Sequence, residues 1–205
     1  MFNIPTRYHA AGEKLPERHQ LLLMLDDGSA ISFTGSLGGP IFLFKVDNNG
    51  IPINYSNTSF PSILSDEFSL EFFMNLIKTT ELRSLSAKAF LATKNRIPGL
   101  DNSILQEILW EAKVNPKSKM VALNEDDFVR IYEAIRKVFP AVIASGGKDT
   151  EKDLFCNDGG YKTKVSKNTV NHPCVRCGDI IVKEAYLGGA VYYCPTCQKY
   201  IVKEK

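Results

Sequence analysis

The chain has 205 residues, 44% of them apolar, enough to bury a core and long enough for two or three small modules. Lys and Arg total 25 against 23 Asp and Glu, so a net charge of +2 gives no global pull toward nucleic acid, and any polyanion-binding surface must be local. No run approaches the roughly 18 consecutive apolar residues of a membrane span, and the opening Met-Phe-Asn-Ile-Pro-Thr-Arg-Tyr lacks the layout of a signal peptide, so the expectation is a cytoplasmic protein with no membrane partner.

From His19 to Val46 the pattern is strand-like. Leu21 to Leu25 runs into Asp27-Gly28, a hairpin dipeptide, and then into Ala30-Ile31-Ser32-Phe33; after a Gly-rich turn comes Ile41-Phe42-Leu43-Phe44. The expectation is a three-stranded meander with an apolar face that needs cover. Such an incomplete sheet would either self-associate or pack on the rest of the chain.

From Ser65 the period becomes helical, with Phe68, Leu70, Phe72, Phe73, Leu76 and Ile77 on one stripe after a Ser65/Asp66 cap. Further helices are expected over Ser86–Thr93, Asn102–Lys113 and about Glu125–Ser145. Pro140 predicts a kink or break in the last of these, and Gly146-Gly147 predict its end.

The C-terminal cysteines carry the sharpest signal, Cys174-x2-Cys177-x16-Cys194-x2-Cys197. Each Cys-x2-Cys turn offers two thiolates from one knuckle, and a 16-residue gap suits a β-hairpin that returns the second pair beside the first. In a reducing compartment this predicts one structural Zn²⁺ per chain, with no open coordination position, and Gly178 supplies free φ after the first knuckle. Cys156 stands alone as a free thiol.

Asn102 and Ser103 open the third helix after the tight Pro98-Gly99 turn, with Gln106 spaced for a capping box. Free N–H groups at such a start suit a phosphate, while the plainer alternative makes Asn102 a helix cap only. Lys162, Lys164, Lys167 and Arg176 form one acid-free basic group, and Lys113, Lys117 and Lys119 form another; a polyanion or plain solvation explains either. Gly147-Lys148 resembles the end of a phosphate-binding loop, but Asp149 stands where Ser or Thr is needed and the segment follows a helix, so nucleotide binding is dismissed. His9, His19 and His172 show no ligand spacing.

The run from Lys88 to Pro116, Lys-Ala-Phe-Leu-Ala-Thr-Lys-Asn-Arg-Ile-Pro-Gly-Leu-Asp-Asn-Ser-Ile-Leu-Gln-Glu-Ile-Leu-Trp-Glu-Ala-Lys-Val-Asn-Pro, resembles the helix–two-turns–helix of the formamidopyrimidine-DNA glycosylase and endonuclease VIII family. Cys-Pro-Thr-Cys-Gln at 194–198 is similar to that family's C-terminal zinc finger, and with the segment Ser145–Phe155 the resemblance covers roughly residues 10–200. It implies base-excision repair, in which a damaged base is flipped out of duplex DNA, its glycosidic bond cut and the abasic site nicked. By position it makes Asn102 and Lys88 phosphate contacts, while Lys162 and Lys164 are DNA-binding candidates from the basic group alone. Leu37 falls near the side chain that fills the gap left by the flipped base, or else is a core Leu at a turn.

The departures also carry meaning. The family's nucleophile is an N-terminal proline exposed by Met removal, whereas this chain begins Met-Phe-Asn, and the Pro5 nitrogen is tied in a peptide bond. No catalytic residue is therefore carried over, and the chain as given is expected inactive. Gly189 stands where family fingers place an arginine, which predicts a weaker grip on phosphate. The expected architecture is α+β: a partial β-sandwich at 1–55, a helix–two-turns–helix domain at 60–147, and a linker with zinc ribbon at 148–205. The expected partner is double-stranded DNA with a damaged base or abasic site. Two readings compete, a glycosylase/AP lyase relative and a non-catalytic DNA-binding derivative; a remoter third is a ribbon serving protein or RNA assemblies.

Overall fold

The computed structural model describes residues 5–34, 45, 48, 60–94 and 96–202. Leu37 and the expected strand Ile41–Phe44 lie outside the described residues. Strands β1 (Thr6–His9), β2 (Leu21–Met24) and β3 (Ala30–Phe33) form an antiparallel sheet in the order β1-β3-β2. The β2–β3 hairpin turns at Asp27-Gly28 as the sequence predicts, with Gly28 at φ +80°. Strand β1 was not expected. It pairs with β3 from Thr6↔Phe33 to His9↔Ala30, and its Tyr8 N–H donates to the Leu154 carbonyl (2.8 Å), tying the sheet to the segment after the last helix.

Among the described residues four α-helices follow: α1 (Leu70–Thr79), α2 (Ala87–Ala92), α3 (Ile104–Glu111) and α4 (Glu125–Ala144). Helix α1 starts later than the expected Ser65/Asp66 cap. Ser69 has the extended backbone a cap needs and its hydroxyl accepts from the Phe72 N–H at 3.1 Å, while Ser65 turns back onto the Ser62 carbonyl. Ser86 caps α2 and Thr93 ends it, as expected. Asn124 and Asp127 cap α4 reciprocally. The apolar faces of these helices meet in one core, with Phe68, Phe73, Phe90, Leu105, Ile108 and Ile131 wholly buried.

The break expected at Pro140 does not occur, since α4 continues through it to Ala144. Pro140 lies on the exposed side of the helix, where the one backbone hydrogen bond it removes is most cheaply replaced by solvent. The end of α4 is as the sequence predicts. Gly146 (φ +68°) donates to the Ile143 carbonyl at 3.0 Å and Gly147 (φ +108°) to the Val142 carbonyl at 2.9 Å, a Schellman ending that turns the chain toward α3.

The C-terminal part is a hairpin of β4 (Val182–Tyr186) and β5 (Gly189–Tyr193), joined by Leu187 and Gly188 at φ +51° and +73°, the pair of positive values that a two-residue hairpin turn demands. It packs along α3. Among the described residues, no helix is long and apolar enough to cross a membrane.

Candidate nucleic-acid interface and metal centre

Helix α3 is buried without interruption from Ile104 to Trp110, so both of its sides have partners. One side, with Ile104, Leu105, Ile108 and Leu109, belongs to the helical core. The other carries Gln106 and Trp110, and with Asn102 just before the helix and the Val114 carbonyl just after it they engage the ribbon. The Asn102 amide donates to the Ala190 carbonyl (3.2 Å). Gln106 accepts from the Tyr192 N–H (2.5 Å) and donates to the Asn102 carbonyl (2.8 Å). Trp110 packs against Cys174, Ile181 and Cys194, with the Arg176 guanidinium 3.8 Å from its ring centre. The Val114 carbonyl accepts from the Gln198 amide (3.0 Å), and Asn115 donates to the Gln198 carbonyl (2.8 Å).

This arrangement corrects the expected capping box. Asp101 caps α3: its Oδ1 accepts from the Ser103 N–H (2.8 Å) and the Ile104 N–H (2.7 Å). Gln106 reaches instead to β5. Asn102 is thereby released from helix capping, and its side chain is exposed at the junction of α3 with the hairpin.

Lys88 comes to the same junction from α2. It is only 4% exposed, and its Nζ donates to the Tyr186 carbonyl (2.6 Å) at the hairpin turn. Burial pushes its ammonium below the usual lysine range. Between the two stands Gly189, whose absent Cβ would lie 3.6 Å from Lys88 Nζ and 3.8 Å from Asn102 Nδ2. The position that the sequence marks as lacking an arginine therefore lies between Asn102 and Lys88.

The basic groups divide. Lys162 is exposed, while Lys164 folds over the Tyr161 ring at 4.7 Å and donates to the Lys162 carbonyl. Lys167, rather than either of these, lines the cavity of about 310 Å³ beside Asn102, together with Ser103, Lys148, Glu151 and Tyr192. In the second group Lys117 is engaged with Glu184 (2.6 Å) and Lys119 with the Ser84 carbonyl (2.9 Å).

The sequence reading missed Glu107. It is 1% exposed, and its carboxylate accepts from the N–H groups of Lys164 (2.9 Å) and Val165 (2.8 Å) and from the Tyr161 hydroxyl (3.2 Å). It thus fastens the linker segment 161–165 to α3. Burial raises its carboxyl above the ordinary range, opposed by the Val165 and Lys164 N–H bonds. The Tyr161 hydroxyl is raised as well, first by burial and then by the Glu107 charge.

The four ribbon cysteines converge, with all sulfurs within 4.8 Å of one another. Cys177 and Cys194 sulfurs lie 3.4 Å apart and those of Cys174 and Cys197 3.9 Å. A tetrahedral zinc tetrathiolate with Zn–S near 2.3 Å sets its sulfurs about 3.8 Å apart, so the donor set fits such an ion in both chemistry and spacing. Gly178 adopts φ +81° and donates to the Cys174 carbonyl (2.8 Å), closing the first knuckle as expected. Cys156 is a free thiol outside this group.

Fold and site together define a helix–two-turns–helix protein with a four-cysteine ribbon. No family model matches the chain. Individual relatives do. The chain is 31% identical over 198 residues to a formamidopyrimidine-DNA glycosylase of Pelotomaculum thermopropionicum, covering 93% of this chain and 70% of the relative. It is 31% identical over 142 residues to that of Carboxydothermus hydrogenoformans, covering 68% and 53%. The crystal structure of MutM (Fpg) from Thermus thermophilus has the same fold, with a TM-score of 0.71 at 20% identity over 97% of this chain and 74% of that one. A Lactococcus lactis Fpg in complex with abasic-site DNA matches with a TM-score of 0.68 at 22% identity, over 96% and 73%. The chain belongs to the formamidopyrimidine-DNA glycosylase family. It spans about half the length of several curated relatives, 53% and 50% for two of them.

Glu107 generates a pH prediction. Its folded-state value lies above its unfolded one, so its contribution to stability is full at low pH and is lost as pH rises from about 4.3, the ordinary Glu value, through the raised value. Relative to Glu107→Gln, the native chain should lose stability across that interval and then level off. Urea unfolding of both proteins between about pH 4 and 8 measures it; a constant difference would contradict the assignment.

Proposed function

We propose that this chain binds duplex DNA holding a damaged base or an abasic site, gripping a backbone phosphate between Asn102 and Lys88 with the ribbon folded around one Zn²⁺. The observation that carries this reading is the release of Asn102. Because Asp101 caps α3, the Asn102 amide is an exposed donor at a helix start, beside the Lys88 ammonium. Lys167, with Lys162 at the surface, extends the positive side of this junction, while Lys164 serves mainly to hold the linker. The relatives' name, DNA glycosylase, and the abasic-site DNA in the Lactococcus complex agree with this class of ligand.

Cys174, Cys177, Cys194 and Cys197 would hold the metal, which supplies structural closure and no open position for catalysis. Their hairpin then presents the Ala190 and Tyr186 carbonyls that orient Asn102 and Lys88.

Asn102→Ala should weaken binding to an abasic-site duplex by about 1–3 kcal/mol, the cost of a lost hydrogen bond to a charged group. Fluorescence anisotropy at fixed salt reads this, and unchanged affinity with an intact fold would leave Asn102 as a hairpin tether only. Protein purified without added metal should contain about one zinc per chain by elemental analysis. A folded metal-free ribbon, or a disulfide within either knuckle, contradicts the assignment.

A further inference from the structure

Gly147-Lys148, which has no part in nucleotide binding, occupies a specific place in the fold. Lys148 is 0% exposed. Its Nζ lies 2.9 Å from Glu151 Oε1 and 3.7 Å from Asp101 Oδ1, and it donates to the Ser103 hydroxyl. That hydroxyl donates in turn to Asp101 Oδ1 at 2.8 Å. An ammonium so deeply buried persists only when paired, and here two carboxylates share it.

The backbone holds this lysine in place from both sides. The Schellman ending of α4 delivers it, and a parallel bridge pairs it with Tyr161. Gly159 presses against it so closely that a Cβ there would sit 2.5 Å from the Lys148 carbonyl oxygen and 2.2 Å from the Gly147 carbonyl carbon. The side chain is therefore aimed at the first turn of α3, the turn that presents Asn102.

The charges matter as much as the geometry. Asp101 adjoins Asn102 in the chain, and Glu151 and Lys148 line the cavity next to it. With Lys148 the three groups sum to −1; without it, two carboxylates summing to −2 would face an incoming phosphate.

We infer that Lys148 is a positioning residue for the phosphate site: it clamps the Asp101–Ile104 turn that presents Asn102 and cancels carboxylate charge beside it. This rests on the reading of Asn102 given above. Neither function makes Lys148 touch the DNA.

Lys148→Met, Lys148→Arg and the double variant Lys148→Met/Glu151→Gln separate the possibilities in the full chain, with abasic-site duplex as the probe. Lys148→Met should lose roughly 10- to 100-fold in affinity, in line with an uncompensated charge at an interface. Lys148→Arg should stay near the native value. The double variant restores the cluster to −1 without leaving a buried charge unpaired, and should recover most of the loss. Amide exchange of Ser103 and Ile104, read without DNA, should be faster in Lys148→Met.

Native affinity in Lys148→Met together with unchanged exchange would overturn the inference. A double variant as weak as the single one would overturn its electrostatic half. Should Lys148→Met fail to fold, the double variant, whose cluster has no unpaired buried cation or excess carboxylate, carries the comparison against native protein. If the native chain itself does not bind the duplex, the phosphate reading of Asn102 falls, and exchange at Ser103 and Ile104 still decides whether Lys148 clamps the turn.

Discussion

Everything in the site depends on a single eight-residue helix with no free side. A helix as short as α3 is unstable alone and takes its stability from packing. Here the packing comes from three directions: the helical core on one face, the ribbon on the face of Gln106 and Trp110, and the linker segment held by Glu107. Consequently the start of α3 is fixed relative to the hairpin and the linker at once. Asn102 and Lys88 come from different helices, and without that fixation nothing would keep them beside the same glycine.

The polar contacts that make this fixation are largely between a side chain and a backbone. Gln106 to Tyr192, Gln198 to Val114, Asn115 to Gln198 and Lys88 to Tyr186 each pair a side chain of one unit with a peptide group of another. Such bonds are worth little net, yet leaving a buried member unpaired is expensive. They therefore act more on register than on total stability: the hairpin is accepted in one position along α3 because a shift would orphan several of these groups together.

How much of this was legible in the sequence depends on the range of the interaction. The ribbon was, because two Cys-x2-Cys knuckles declare a tetrahedral site in a few residues. The helices were too, since Ser86, Gly146 and Gly147 act on their own chain neighbourhood. The first cap of α1 was misplaced because Ser62, Ser65, Asp66 and Ser69 offer similar chemistry, and the burial of Phe68 decides among them. Strand β1 was missed for lack of an apolar run in Thr6-Arg7-Tyr8-His9; only its pairing with β3 makes it a strand. Asp101, Asn102 and Ser103 are three adjacent candidates for one cap, and local chemistry cannot rank them. Tertiary structure does, by drawing the Asn102 amide to the Ala190 carbonyl. Glu107 and Lys148 give no local signal, because the groups their side chains bind, apart from Glu151 for Lys148, are more than forty residues away.

The hydrogen bond from Asn102 to Ala190 also joins two equilibria. Ala190 lies on β5, three residues before Tyr193 and the Cys194 knuckle, so the order of the thiolate cluster and the position of the Asn102 amide are parts of one mechanical unit. Whatever stiffens the ribbon lowers the entropy still to be lost when an anion settles at the start of α3. By thermodynamic reciprocity, an anion bound there would tighten the hold of the four thiolates on a metal ion by the same factor.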